Sequence, residues 1–253
     1  MPITLADIRR YPVKGLASDA LQETTLSIGR ALPNDRRWAI AHAASRIDPA
    51  APHWAEKKEF LMLAKDEKLG QLGVAFDDET NILTITRKGK QVSRGKLDDV
   101  TGRMLLQTFL SGFLPDGPRG APKIVEAPSD EQFTDVPDPF VSIINLASVR
   151  DIERVAREPV DPLRFRGNLY LDGAQAWAEQ DWIGRKLQIG DAVLEVVEPI
   201  ERCAATNVNP VDGAVDMNVP MTLRRGFGHV QCGVYARVTA GGRVGVGDAV
   251  ALV

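Results

Sequence analysis

Along most of this chain, apolar residues alternate with polar ones or gather in short runs bounded by Gly, Asn and Asp, a spacing that predicts β-strands. Strands are expected over residues 4–11, 21–28 and 38–41, with 29–37 as a turn. Residues 82–87 and 91–93 flank Lys88-Gly89-Lys90, a hairpin signal because glycine tolerates the positive φ of a tight turn. The N-terminal third therefore reads as a small β-rich unit. Between Asp98 and Leu114 the period changes. Val100, Met104, Leu105, Phe109, Leu110 and Phe113 fall at helical spacing, and Asp98 or Asp99 is available as the cap. Pro115-Asp116-Gly117-Pro118-Arg119-Gly120-Ala121-Pro122 follows as the densest cluster of chain-breaking residues. A domain boundary is expected there, dividing the chain into residues 1–116 and 117–253.

A second helix is expected from Ser148, since Ser148 and Asp151 have capping-box spacing and Val149, Ile152 and Ala156 share one face. Pro159 and Pro162 end it. Beyond them the pattern returns to strands. Gly190-Asp191 and Gly247-Asp248 each sit between apolar runs, which predicts two hairpin edges, and Gly241-Gly242 supplies another turn. About six short strands at this spacing call for a closed barrel, because closure removes exposed edges. The expected fold class is α+β and β-rich: a closed β-barrel with an N-terminal β-rich subdomain and a few helices.

Composition narrows the function. With 253 residues, 44% hydrophobic and 26% charged, the chain has the make-up of an ordinary soluble globular protein. A net charge of −3, with basic residues scattered along the chain, offers no long-range attraction for nucleic acid or an anionic membrane, so neither partner is expected. No segment reaches the roughly 18 apolar residues of a membrane span, and the N-terminus lacks a basic stretch leading into an apolar one. A cytoplasmic location is expected. Cys203 and Cys232 are too few for a disulfide framework, and His42, His53 and His229 lack metal-binding spacing. No Gly-x-Gly-x-x-Gly segment follows a strand, so a nicotinamide dinucleotide site is not expected.

Cys203 lies in Glu201-Arg202-Cys203-Ala204-Ala205-Thr206-Asn207-Val208-Asn209-Pro210, a polar turn after the apolar run 193–197. The guanidinium of Arg202 and donors from Thr and Asn favour a thiolate there, hence a nucleophile or a soft-metal ligand. A lone Cys equally serves as a small packed hydrophobe, and the residues alone leave both roles open. Cys232 lies within a strand-like run, 229–238, where a packed structural role is expected. Three further polar clusters stand out: Tyr11-Pro12-Val13-Lys14-Gly15, Asn34-Asp35-Arg36-Arg37-Trp38 and Arg164-Phe165-Arg166-Gly167-Asn168. Singly they read as ordinary loop chemistry, with Lys14 and Arg36 solvated, Arg166 paired to Asp161 or Asp172, and Asn168 capping a loop.

In their order these clusters resemble the MOSC superfamily, the molybdenum-cofactor sulfurase C-terminal type, in its two-part form with an N-terminal MOSC β-barrel domain. The motifs are Tyr-Pro-Val-Lys, Asp-Arg-x-Trp, Arg-Phe-Arg-x-Asn, Arg-Cys-x-x-Thr-x-Val-Asn-Pro and a final Val-Gly-Asp-x-Val, spread over essentially the whole chain. Within the superfamily the chain resembles the amidoxime-reducing component branch. The resemblance implies a molybdenum–molybdopterin cofactor, its metal held by two dithiolene sulfurs and the thiolate of Cys203, with Arg202 stabilising that anion. Lys14, Arg36 and Arg166 match cofactor-contacting positions suited to a phosphate. Asn168 and Asn145 match further contacts, and Thr206 and Asn209 shape the turn. Gly15 stands where relatives often carry Ser and offers its backbone N–H; Gly167 replaces a common Pro and loosens the Arg166–Asn168 spacing.

The reaction so implied is reduction of a small N-hydroxylated substrate by removal of its oxygen, and pyridoxal phosphate is not expected. The chain ends at Val253 with no group of four Cys, so electrons are expected from a separate flavin, haem or iron–sulfur protein. A sulfur-carrier or cofactor-handling module, with Cys203 as a persulfide or transient ligand, is the alternative. A barrel that keeps only the fold is a third reading.

Overall fold

Inward-facing aliphatic residues on short strands are buried here by a sheet rolled until its edges meet. A computed structural model describes residues 2–114, 120–129 and 131–253. In chain order the strands are β1 (Ile3–Arg10), β2 (Val13–Lys14), β3 (Asp19–Leu21), β4 (Glu23–Leu26), β5 (Trp38–Ala41), β6 (Leu72–Asp77), β7 (Ile82–Arg87), β8 (Lys90–Lys96), β9 (Lys123–Glu126), β10 (Val141–Asn145), β11 (Leu169–Asp172), β12 (Lys186–Ile189), β13 (Ala192–Glu201), β14 (Gln231–Ala240), β15 (Gly242–Gly245) and β16 (Ala249–Leu252). The helices are α1 (Val100–Phe113), α2 (Leu146–Ala156) and α3 (Val219–Phe227). Seven strands, in the order β11-β10-β14-β13-β12-β16-β1, close into a barrel through the β1–β11 pairing, and β3 extends from β1.

Alternation along each strand fills the barrel. Leu5 and Ile8 of β1, Leu169 and Leu171 of β11, Leu194 and Val196 of β13, and Val234 and Ala236 of β14 are all fully buried in one cluster. Small residues such as Ala192 and Ala236 stand among larger ones in this cluster, a mix that suits the tapered interior of a small barrel. α2 and α3 cover one flank, burying Val149, Ile152, Val219 and Leu223 beside Cys232. In the N-terminal part the β6-β7-β8 meander packs Leu83 and Ile85 against Leu106 and Leu110 of α1. Gly102 makes that approach possible, since a Cβ there would lie 2.2 Å from the carbonyl oxygen of Lys96.

The boundary expected at residue 116 falls among residues 115–119, outside the described residues. Pairing runs across it, because β1 belongs to the barrel and β9 pairs with β5. The division stays a proposal about folding units.

Three local expectations change, and one helix is added. Residues 21–28 form two strands, β3 pairing with β1 and β4 with β15, because the chain turns from one sheet to another at Gln22. α2 starts at Leu146, with Asn145 Oδ1 accepting from the Ala147 N–H at 3.0 Å, so Asn145 is the cap instead of Ser148. β10 runs straight into this helix, which leaves no room for a later start. Gly190-Asp191 does turn a hairpin, Ile189 facing Ala192, whereas Gly247-Asp248 passes the chain from the β15–β4 pair to the barrel strand β16. α3 was not expected, although Asn218 caps it, Pro220 lies in its first turn and Gly228 closes it at φ 79°.

Ser148 has a different task. Its hydroxyl donates to Glu179 Oε2 at 2.9 Å, an oxygen that also accepts from Asn145 Nδ2 at 2.7 Å, while Glu179 Oε1 has no hydrogen-bond partner among the described residues. Burial pushes the Glu179 carboxyl above its ordinary range, and the hydrogen bonds only partly oppose that. A carboxyl whose folded pKa is raised stabilises the fold below its unfolded value, about 4.3, and that stability is lost as pH rises through the folded pKa. Glu179→Gln is therefore expected to match the wild type in denaturant unfolding at pH 4 and exceed it at pH 8. An equal difference at both pH values would contradict this account.

Candidate functional site

A cavity of about 490 Å³ opens where β2 and the turn before β5 face the ends of β13 and β14. Lys14, Gly15, Arg36, Arg166, Asn168, Arg202 and Cys203 all line it, although they come from four separated stretches of chain. Asn145 does not line it. Its side chain is spent within the protein, capping α2 and donating to Glu179 and to the carbonyl of Gln175.

Lys14 ends β2 and is buried, its Nζ donating to Asp135 Oδ1 at 2.5 Å. Burial pushes the ammonium below the usual lysine range, Asp135 opposes this, and Arg36 and Arg166 add to the fall. Gly15 follows at φ +90°, where a Cβ would lie 2.8 Å from the Leu61 carbonyl oxygen, so here glycine is required by the backbone. Gly167 is equally confined: a Cβ would lie 2.3 Å from Ile144, and its N–H donates to the Tyr170 hydroxyl at 3.1 Å, a bond proline lacks.

Arg36 and Arg166 both adopt φ 51°, a left-handed conformation uncommon for side chains of this size. The Arg36 guanidinium donates to Asp35 and, at 2.9 Å, to the carbonyl of Arg166. Desolvation works against its charge, yet the Asp35 carboxylate outweighs that and holds its pKa above the arginine norm. Arg166 pairs with neither Asp161 nor Asp172. Asp161 caps Leu163, and Asp172 pairs with Arg150. Burial, with Arg36 nearby, moves the Arg166 pKa down.

Asn168 forms part of the cavity floor. Its Oδ1 accepts from the Ser142 N–H and hydroxyl and its Nδ2 donates to the Arg9 carbonyl, which leaves one amide N–H for a ligand. Arg202 clamps backbone: it donates to the Cys232 carbonyl and, at 2.8 Å, to the Phe165 carbonyl, tying three segments together behind the thiol. None of its hydrogen bonds reaches Cys203. Cys203 itself is half-buried on the cavity wall, where its carbonyl accepts from the Thr206 N–H and hydroxyl and so starts the 3-10 turn Ala204–Asn207. Cys232 is fully buried, and burial pushes its thiol up to about 12.

Three residues that the motifs contained or passed over complete the site. Tyr11 lies beneath the arginines, and Arg164 donates to the Asn207 carbonyl at 3.0 Å and to both oxygens of Asp216, pinning the turn after Cys203. Asp135 carries no motif at all. Its partner Lys14 is 121 positions away, and only the folded chain brings them together. Desolvation works upward on Asp135, but Lys14, Arg36 and Lys57 outweigh it and hold the carboxyl well below the usual range.

The chemistry of this donor set suits an anionic cofactor with a soft metal: three convergent cations, one accessible thiol, and a volume within the ordinary range of ligand sites. Among the described residues no group of three His, Cys, Asp or Glu could hold a metal, so a metal here would need most of its ligands from a cofactor.

The MOSC domain family matches residues 130–251. That stretch of the chain is a MOSC domain. The matched stretch supplies six of the seven barrel strands, and β1 supplies the seventh. The chain is 29% identical over 100 residues to the human mitochondrial amidoxime-reducing component 1, a match that covers 40% of this chain and 29% of that protein. It is 37% identical over 57 residues to a molybdenum cofactor sulfurase of Oryza sativa subsp. japonica, covering 22% of this chain and 7% of that protein. The chain thus spans less than a third of the length of these relatives. Among solved structures, the YUAD protein of Bacillus subtilis aligns with 99% of this chain and 94% of that one, at 11% identity and a TM-score of 0.45. No helix among the described residues is long and apolar enough to cross a membrane.

Proposed function

We propose that this MOSC-domain protein binds a molybdenum–molybdopterin cofactor and reduces N-hydroxylated small molecules, acting in the cytoplasm with electrons from a separate flavin, haem or iron–sulfur protein. The observation that carries this reading is the convergence of Lys14, Arg36 and Arg166 with the Cys203 thiol on one cavity. The naming of its relatives as amidoxime-reducing components supports the reaction class.

In this reading Cys203 is the protein's ligand to the metal, and the turn pinned by Arg164 fixes the direction of its sulfur. Lys14, Arg36 and Arg166 hold the phosphate end, with the Gly15 N–H and the free Asn168 amide hydrogen available to the rest of the cofactor. Asp135, already bonded to Lys14, shares that ammonium with the incoming anion. The cofactor supplies the redox chemistry when bound: two electrons and two protons convert an amidoxime to an amidine and water. The protein's part is to bind, orient and enclose.

Cofactor-loaded protein is expected to reduce benzamidoxime with a reduced viologen dye and to be inactive with NADH alone, followed by amidine formation. No turnover of several N-hydroxylated substrates with molybdenum confirmed bound would turn the reading to a sulfur carrier using Cys203. The match to a molybdenum cofactor sulfurase is the observation that favours that second reading.

A further inference from the structure

Tyr11 has no place in the chemistry above, yet both cavity arginines meet on its ring. The guanidinium carbons of Arg36 and Arg166 stand 4.7 Å and 4.3 Å from its centroid. Two like charges held over one ring repel each other, so the arrangement must be maintained by something other than their own preference. The backbone of Tyr11 is fixed by the same group: its N–H donates to Asp35 Oδ1 at 2.7 Å, and its carbonyl accepts from the Arg36 N–H at 2.6 Å. Asp35 binds the Arg36 guanidinium, which in turn reaches the Arg166 carbonyl. Tyr11, Asp35, Arg36 and Arg166 are therefore one connected unit.

Within that unit the Arg166 guanidinium has no hydrogen-bond or ion-pair partner among the described residues; it lies over the ring, with the Asp35 and Asp135 carboxylates acting on its charge from farther away. A carboxylate in the ring's place would orient Arg166 too. It would also neutralise the charge and occupy the N–H groups. A π face attracts the cation through its quadrupole and leaves every N–H free to donate.

We propose that Tyr11 is a positioning residue whose aromatic face holds Arg36 and Arg166 as a preorganised fork for a phosphate-type anion. The inference deepens the proposed function by naming what aims its cations, and it rests on that reading only for the identity of the natural ligand. The fork itself requires no metal.

The test uses the full-length chain prepared without cofactor, with inorganic phosphate as the probe and calorimetry as the readout. Tyr11→Phe keeps the face and is expected to bind within about twofold of wild type, whereas Tyr11→Leu is expected to bind about tenfold more weakly. Because a buried tyrosine also packs, the deciding series places phenylalanines with increasing numbers of ring fluorines at position 11. These keep the ring's shape while draining its π face. Phosphate affinity is expected to fall stepwise along the series. Flat affinity across the series, or no phosphate binding by the wild type, would overturn the proposal. Absence of molybdenum or of reductase activity would not touch it, so the two readings fail separately.

Discussion

Protein carrying Cys203→Ala, made in a host that produces molybdopterin, is expected to purify folded but with at least roughly tenfold less molybdenum than wild type, since even an outer-shell change typically costs about 10–100-fold in metal affinity. Cys203 packs into no hydrophobic cluster, so removing its sulfur costs little stability. Cys232 is the internal control. It is fully buried among Ile144, Val149 and Leu223 and its thiol stays protonated, so Cys232→Ala should keep its molybdenum and lose about 1–2 kcal/mol of stability to the cavity left behind. The same contrast predicts that iodoacetamide modifies one thiol of the native apo protein and two after unfolding. Metal quantification and mass spectrometry read both outcomes. Equal molybdenum in Cys203→Ala and wild type would remove Cys203 from the ligand role.

Arg164→Met should be the most destabilising single change near the site. Its side chain is 3% exposed, with hydrogen bonds to Asn207 and to both oxygens of Asp216. Removing one partner of a buried pair typically costs 3–5 kcal/mol, but Asp216 is 39% exposed and can be resolvated, so about 2–3 kcal/mol is expected. The loss should appear as a lower denaturant midpoint with an unchanged slope. A second effect separates positioning from mere stability. With the Asn207 carbonyl released, the turn that begins at Cys203 loosens, and iodoacetamide should react several-fold faster with that thiol under native conditions. Arg164→Lys, which keeps the charge without the fork, should recover part of the stability and less of the turn's order. An alkylation rate equal to wild type in Arg164→Met would show that the turn holds itself.

Short-range spacing determined a large share of this protein. Alternation in β1, β7 and β13 and the helical spacing before Leu114 are legible because each depends on neighbours a few positions apart. The need to close the barrel follows from the same pattern, and the folded chain brings the ordered clusters around Lys14, Arg36, Arg166 and Cys203 together on the wall of one cavity. Tertiary structure decided which partner each polar group takes. Arg202 beside Cys203 in sequence spends its hydrogen bonds on the Cys232 and Phe165 carbonyls, Asn145 caps a helix, and Asn168 is largely consumed by Ser142 and Arg9. Asp135 reaches Lys14, and the Tyr11 ring gathers two arginines from distant loops. A side chain's hydrogen bonds are made with whatever the fold brings within about 3 Å, and that distance in space bears no relation to distance along the chain.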